Sequence, residues 1–153
     1  MKTNLIALLG SLLCGLAVMP QQGISQDAAK GGKLEVHVKY EGSGTVDEKH
    51  KIYVVLWDSA DFMSGGQSAP VAVLTTASKS GTVTFNDVKK SPAYVSAVFD
   101  VKGEWDPQAG PPPNGSPLGL YMKTPGQAEP IEIKAGQTVS VELSFDDSFK
   151  MGG

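Results

Sequence analysis

Thr138-Val139-Ser140-Val141-Glu142-Leu143-Ser144-Phe145 alternates without a break between polar and apolar side chains. A period of two residues marks a strand with one face in a core and the other in water. Just upstream, Ile131 and Ile133 repeat the pattern and Ala135-Gly136-Gln137 supplies a turn, so the stretch predicts a hairpin of 131–133 with 139–145.

The same period recurs towards the N-terminus. From Lys33 to Glu41, Leu34, Val36, Val38 and Tyr40 share one face and Lys33, Glu35, His37, Lys39 and Glu41 the other. Ile52 to Trp57 is apolar on both faces, as in a central strand covered on each side or packed outside by a loop, and Trp57 is expected to close one end of the core. Val71–Leu74 and Thr82–Phe85 are short β-branched runs joined by the small, polar stretch Thr75–Gly81, which predicts a second hairpin. In Tyr94–Phe99, which follows Pro92, the face shared by Ala93, Val95, Ala97 and Phe99 leaves Asp100 pointing to the other side. No stretch of ten or more residues after Ser25 has a helical apolar period. The expected fold is all-β: an antiparallel β-sandwich of about seven strands, Ig-like in layout.

The first 25 residues read differently. Lys2 precedes an uncharged apolar run, Leu5–Met19, then Pro20 and the small, polar stretch Gln21–Ser25, which is the order of a secretory signal peptide. Fifteen residues fall short of the roughly 20 that a bilayer span needs, so no transmembrane span is expected. Gly23 and Ser25 suit cleavage before Gln26, with Gly15 and Ala17 offering an earlier site. Cys14, the only cysteine, lies inside the run. A lipid anchor on it is the competing reading, but Leu12 and Leu13 stand where bacterial lipoprotein signals have small residues. The expected organisation is a leader over 1–25, a flexible segment over 26–32, the sandwich over 33–149 and a tail over 150–153, in a protein that is exported to the periplasm or secreted.

Cleavage leaves 128 residues of the 153, enough for one core, with 12 lysines against 16 carboxylates and a net charge of −4. That balance argues against nucleic acid as a partner. All 13 basic residues are lysine, so the bidentate fork that reads phosphate is missing.

Two stretches are longer than strand connections need: Asp58–Pro70, and Asp100–Leu120 with five prolines and four glycines. The second opens on Asp100-Val101-Lys102-Gly103-Glu104-Trp105-Asp106. Asp100, Glu104 and Asp106 can supply three or more of the six to eight oxygens of a calcium site, with Asp146 or Asp147, carbonyls and water completing the shell. Equally, they can be the side chains of a turn, with Lys102 pairing a carboxylate in place of the ion. The twelve-residue helix-loop-helix calcium pattern is absent, because Trp105 and Pro111 stand at its glycine and glutamate positions. Calcium is the one cofactor the residues admit.

No Gly-x-Ser-x-Gly, His-Glu-x-x-His or phosphate-loop motif occurs, and His37 and His50 are isolated, so catalysis and transition-metal binding find no support. Trp105, Tyr121 and Phe62 lie in or beside the long loops, where flat rings can stack on a carbohydrate or anchor a partner protein. Alternatively, Trp105 folds back under the proline loop.

Val54-Val55-Leu56-Trp57-Asp58-Ser59-Ala60-Asp61-Phe62, Phe85-Asn86-Asp87-Val88 before Tyr94, and the strand ending in an acidic, glycine-containing loop at Asp100 carry a resemblance. Across Ile52–Phe145 the chain resembles a family of uncharacterised exported bacterial β-sandwich domains, similar in turn to transthyretin-like and carboxypeptidase regulatory-like domains. The resemblance implies an accessory or binding module and no activity. In that family the acidic loop reads Asp-x-Asn-x-Asn-Gly, whereas Lys102 here replaces an oxygen donor. The expectation is a non-enzymatic exported β-sandwich binding module; the alternative is a structural domain stapled by calcium at 100–106.

Overall fold

The two most regular alternations in the chain become neighbouring strands. The computed structural model describes residues 30–64 and 68–152. Its elements are β1 (Gly32–Tyr40), β2 (Ile52–Trp57), a 3-10 turn at Ala60–Ser64, β3 (Ala72–Thr76), β4 (Ser80–Val88), β5 (Tyr94–Phe99), β6 (Leu118–Leu120) and β7 (Thr138–Phe145). Among the described residues they form a three-stranded sheet, β4-β1-β7, and a four-stranded sheet, β3-β2-β5-β6. The described residues therefore form an all-β sandwich of seven strands, as the alternation predicts. The leader expected over 1–25, Cys14 included, lies outside the described residues, as do 26–29 of the expected flexible segment.

The inward faces follow the sequence parity. Leu34, Val36, Val38 and Tyr40 of β1 share one buried cluster with Ile52, Val54 and Leu56 of β2, Val95, Ala97 and Phe99 of β5, and Val141, Leu143 and Phe145 of β7. Each fully buried Val, Leu, Ile or Phe contributes about 1.5–3 kcal/mol, so this cluster dominates the stability. The outer face of the three-stranded sheet is polar: His37 Nδ1 pairs with Thr82 Oγ1 at 2.8 Å, and Ser140 donates to Glu35 at 3.3 Å.

Strand partners differ from the expectation in two places, for one reason. β3 and β4 are not a hairpin; β3 pairs with β2 and β4 with β1, so Ala77–Lys79 carries the chain from one sheet to the other. Small polar residues serve such an arch as well as a hairpin: Ser78 Oγ donates to the Ser80 carbonyl at 2.8 Å. Gly81 lets the arch pass Thr76, whose Oγ1 would lie 2.8 Å from an added Cβ. Likewise, Ile131 does not pair with β7. It bridges Ala93 beside the four-stranded sheet, while β7 crosses over and runs parallel to β1, from Lys33↔Thr138 to Tyr40↔Phe145. All other strand pairs among the described residues are antiparallel. A pattern of period two states which face is buried; it is silent on which strand lies alongside.

Further corrections concern the ends and β6. Gly32 already belongs to β1, and the Gly31 N–H donates to the Asp87 carboxylate at 2.7 Å. Asp87 sits at φ +57° where β4 bulges against β1, a conformation that Asp tolerates better than most residues. Lys150 bridges Pro117, and Gly115 and Ser116 exchange backbone hydrogen bonds with Met151 at 2.8 and 2.9 Å, so Lys150 and Met151 of the expected tail are part of the fold. Within the expected long loop, Leu118–Leu120 forms the edge strand beside β5.

At one end of the sandwich the Tyr40 ring packs between Phe99 and Phe145, with centroids 4.7 and 5.0 Å away. The Tyr40 hydroxyl donates to Asp147 Oδ1, and the Ser43 N–H and O–H each donate to Oδ2 at 2.9 Å. The Tyr40 hydrogen bond, followed by those of Ser43, holds the Asp147 carboxyl at about 2. Burial, reinforced by Asp147, pushes the Tyr40 phenol up to about 12. Since the folded-state value of Asp147 lies below its unfolded value, its contribution is complete above about pH 4 and is lost as pH falls through about 2. That of Tyr40, whose value is raised, is complete below about pH 10 and is lost as pH rises through about 12. Urea unfolding of Asp147→Asn across pH 2–5 should therefore show a shallower acid loss than the wild type; equal slopes would remove Asp147 from the acid limb.

Candidate functional site

Because Ile52, Val54 and Leu56 point into the core, Tyr53, Val55 and Trp57 point away from it. Trp57 thus lies on the outer face of the four-stranded sheet and does not close the core as its position in the sequence suggests. Register places Val73, Ser96, Val98, Leu118 and Leu120 on the same outer face. Antiparallel sheets commonly present a polar outer face to water. Here the two long loops rise over an apolar one.

Together they enclose a trough of about 660 Å³, within the ~300–1,000 Å³ usual for small-molecule sites. Its floor is Val55, Val73, Val98, Leu118 and Leu120. One wall is Trp57 stacked on Phe62, with rings 4.6 Å apart and 7° from parallel. Opposite stand Trp105 and Pro107, Pro111 and Pro112 of the proline loop, and Met63, Phe149 and Met151 line the rim. Among the described residues no lining side chain carries a charge, and the serines there are Ser68 and Ser96. Met63 and Phe149 remain 39% and 57% exposed, so the rim presents apolar surface to water.

Asp100 builds the Trp105 wall from beneath. Only 1% exposed, its carboxylate accepts the N–H groups of Lys102 at 3.2 Å, Gly103 at 3.0 Å and Trp105 at 2.8 Å. Gly103 takes φ +67° with its α-carbon against the Lys49 backbone, where an added Cβ would lie 2.7 Å from the Lys49 carbonyl oxygen. The turn is therefore closed by a side chain and a glycine together. Tyr53 then fixes the tryptophan: its hydroxyl donates to the Trp105 carbonyl at 3.0 Å, and its ring meets the indole edge-on at 4.7 Å. Burial, followed by the charges of Asp100 and Asp106, raises the Tyr53 phenol above its ordinary value. The indole N–H of Trp105 donates to the Gly110 carbonyl at 3.1 Å, which ties the proline loop down.

The carboxylates considered for calcium do not converge. Asp100 is spent on the backbone, Asp106 accepts the Gln108 N–H at 2.9 Å, and Glu104 is exposed. Asp146 and Asp147 leave the sandwich at the same end, since Phe99 and Phe145 both touch Tyr40, yet Asp146 is held by Ser148 and Asp147 by Tyr40 and Ser43. Among the described residues no three His, Cys, Asp or Glu side chains form a group suited to a metal ion.

Of the aromatics expected at a binding surface, Phe62 and Trp105 line the trough, whereas Tyr121 packs against the core. Trp105 does fold back beneath the proline loop, though onto the outer face of the sheet. The sequence expectation passed over Ser96, Val98, Leu118 and Leu120; for Ser96 and Val98 the signal is parity, since both are out of phase with the core-facing Val95, Ala97 and Phe99, whereas the three-residue β6 offers none. No helix among the described residues is long and apolar enough to cross a membrane. Comparison of the chain with protein-family models, curated proteins and solved structures finds no match.

Proposed function

We propose that this chain is an exported, non-enzymatic β-sandwich module, of the transthyretin-like and carboxypeptidase regulatory-like kind, that binds an apolar group in the trough over its four-stranded sheet. One observation carries the reading: a trough of about 660 Å³ whose lining holds no charged side chain among the described residues. Leaving such a surface in water is costly, and an apolar occupant removes it. A carbohydrate asks for side chains that read hydroxyl groups, and among the described residues the lining offers two serines, a poor set for that. Export is supported by the leader-like order of residues 1–25. A binding rather than catalytic role is supported by the placement of both histidines away from the trough, His37 on Thr82 and His50 on Asp47.

N-phenyl-1-naphthylamine, a neutral apolar dye, should gain fluorescence on binding the protein at micromolar concentration. Val73→Trp, which fills the floor from the edge strand, should abolish the gain while far-UV circular dichroism stays unchanged. A folded wild type that leaves the dye dark, or a Val73→Trp variant that binds as well as wild type, would rule the trough out as the binding site.

A further inference from the structure

The trough floor contains one polar side chain with unused capacity. Ser96 lies in the centre of β5's outward row, opposite Val55 of β2 and Leu120 of β6, and is 6% exposed. Its Oγ accepts the Trp57 indole N–H at 2.9 Å. A serine hydroxyl has two acceptor lone pairs and one proton to donate. Trp57 occupies one lone pair, and the proton meets no acceptor among the described residues. Buried donors normally find an acceptor, and one left over in an apolar site marks where a ligand atom belongs. The indole N–H groups of both lining tryptophans are spent, on Ser96 and on the Gly110 carbonyl, so Ser96 is the donor the floor has to offer.

Resting on the trough as the binding site, the geometry points to its ligand class: a neutral, mainly apolar small molecule with an acceptor oxygen, such as a ketone, ester or ether, set to receive the Ser96 hydroxyl proton. Trp57 has a double part. Stacked on Phe62 it forms a wall, and by donating to Ser96 Oγ it turns the serine proton away from itself. The donated bond also polarises the hydroxyl and makes it a better donor. A carboxylate would lose its hydration on entering and gain one hydrogen bond with no cation among the described lining residues, so the same lining disfavours anions.

Three naphthalenes of matched shape test this by equilibrium dialysis: 2-acetylnaphthalene, 2-isopropylnaphthalene and 2-naphthoate. The ketone should bind the wild type about five- to tenfold more tightly than the hydrocarbon, as one buried neutral hydrogen bond predicts, and the carboxylate most weakly. Ser96→Ala should equalise ketone and hydrocarbon by weakening the ketone alone, and Ser96→Thr should restore the preference. Equal binding of ketone and hydrocarbon to the wild type would overturn the acceptor inference while leaving the trough as a site, a result that needs no variant to fold. Tight binding of 2-naphthoate would overturn the neutral class. Failure of all three to bind a folded wild type, or sedimentation showing a dimer that dissociates as the naphthalenes bind, would overturn the small-molecule reading, and the former would remove the proposed function with it.

Discussion

Asp100→Ala should lower unfolding stability by roughly 3–5 kcal/mol in urea, the largest effect expected of any polar substitution in this chain. Three backbone N–H groups end on that one carboxylate, at 2.8–3.2 Å, in a turn whose central glycine is pressed on Lys49. Alanine leaves all three without their partner around a side chain that is 1% exposed, and the penalty for orphaned donors exceeds the modest net value of the bonds themselves. Asp100→Asn should separate charge from geometry. It keeps one carbonyl oxygen for Lys102 and Gly103 but turns an amide group towards the Trp105 N–H, so a loss of about 1–2 kcal/mol is expected. Trp105 emission should shift to the red in the alanine variant, because the indole leaves the Tyr53 ring. Excess calcium should leave the wild-type midpoint unchanged, since the carboxylate is occupied. A calcium-dependent rise, or an alanine variant as stable as wild type, would contradict this account of the loop.

Gly119→Val should cost about 2–3 kcal/mol and weaken dye binding in the trough together with stability. Gly119 is the middle residue of β6, with Leu118 and Leu120 facing the trough and its own α-hydrogens facing the core. An added Cβ would lie 2.6 Å from Phe145 Cβ, 2.7 Å from its Cγ and 2.9 Å from Leu143 Cδ2. Phe145 Cβ is bound directly to the backbone of β7 and has no free rotation by which to retreat. The edge strand must therefore move outwards, carrying two floor residues with it. A variant that keeps both its stability and its dye affinity would show that β6 does not set the floor.

Gly119 also marks the limit of what a linear pattern can say. A three-residue strand with glycine at its centre has no alternation to detect, and the prolines on its N-terminal side make the whole stretch look like a loop. By contrast, β1, β5 and β7 were legible because each has one face in the core, and burial of one face is what periodicity records, while β2 was legible as a short apolar run. The partners of β3, β4 and β7 were not, because an arch between sheets and a hairpin within one use the same turn residues. At the site, Phe62 and Trp105 could be picked out as loop aromatics, while Asp100 was visible only as an acid. Its role depends on three N–H groups that converge after the chain has turned, and backbone donors leave no mark in the sequence. The floor residues of β6 were hidden by a different cause: Leu118 and Leu120 look like core residues, and only the register shows that they face the other way.

The parallel pairing of β1 and β7 bears on the timing of assembly. Residues such as Glu35 and Ser140, which meet across that pair, are 105 positions apart. Until β7 has been synthesised, β1 lacks its second neighbour and Tyr40 lacks both Phe145 and Asp147. Contacts of such long sequence separation slow folding, because loop closure is paid for before the contacts form. A chain emerging from its N-terminus thus remains without a closed three-stranded sheet until β7 is made.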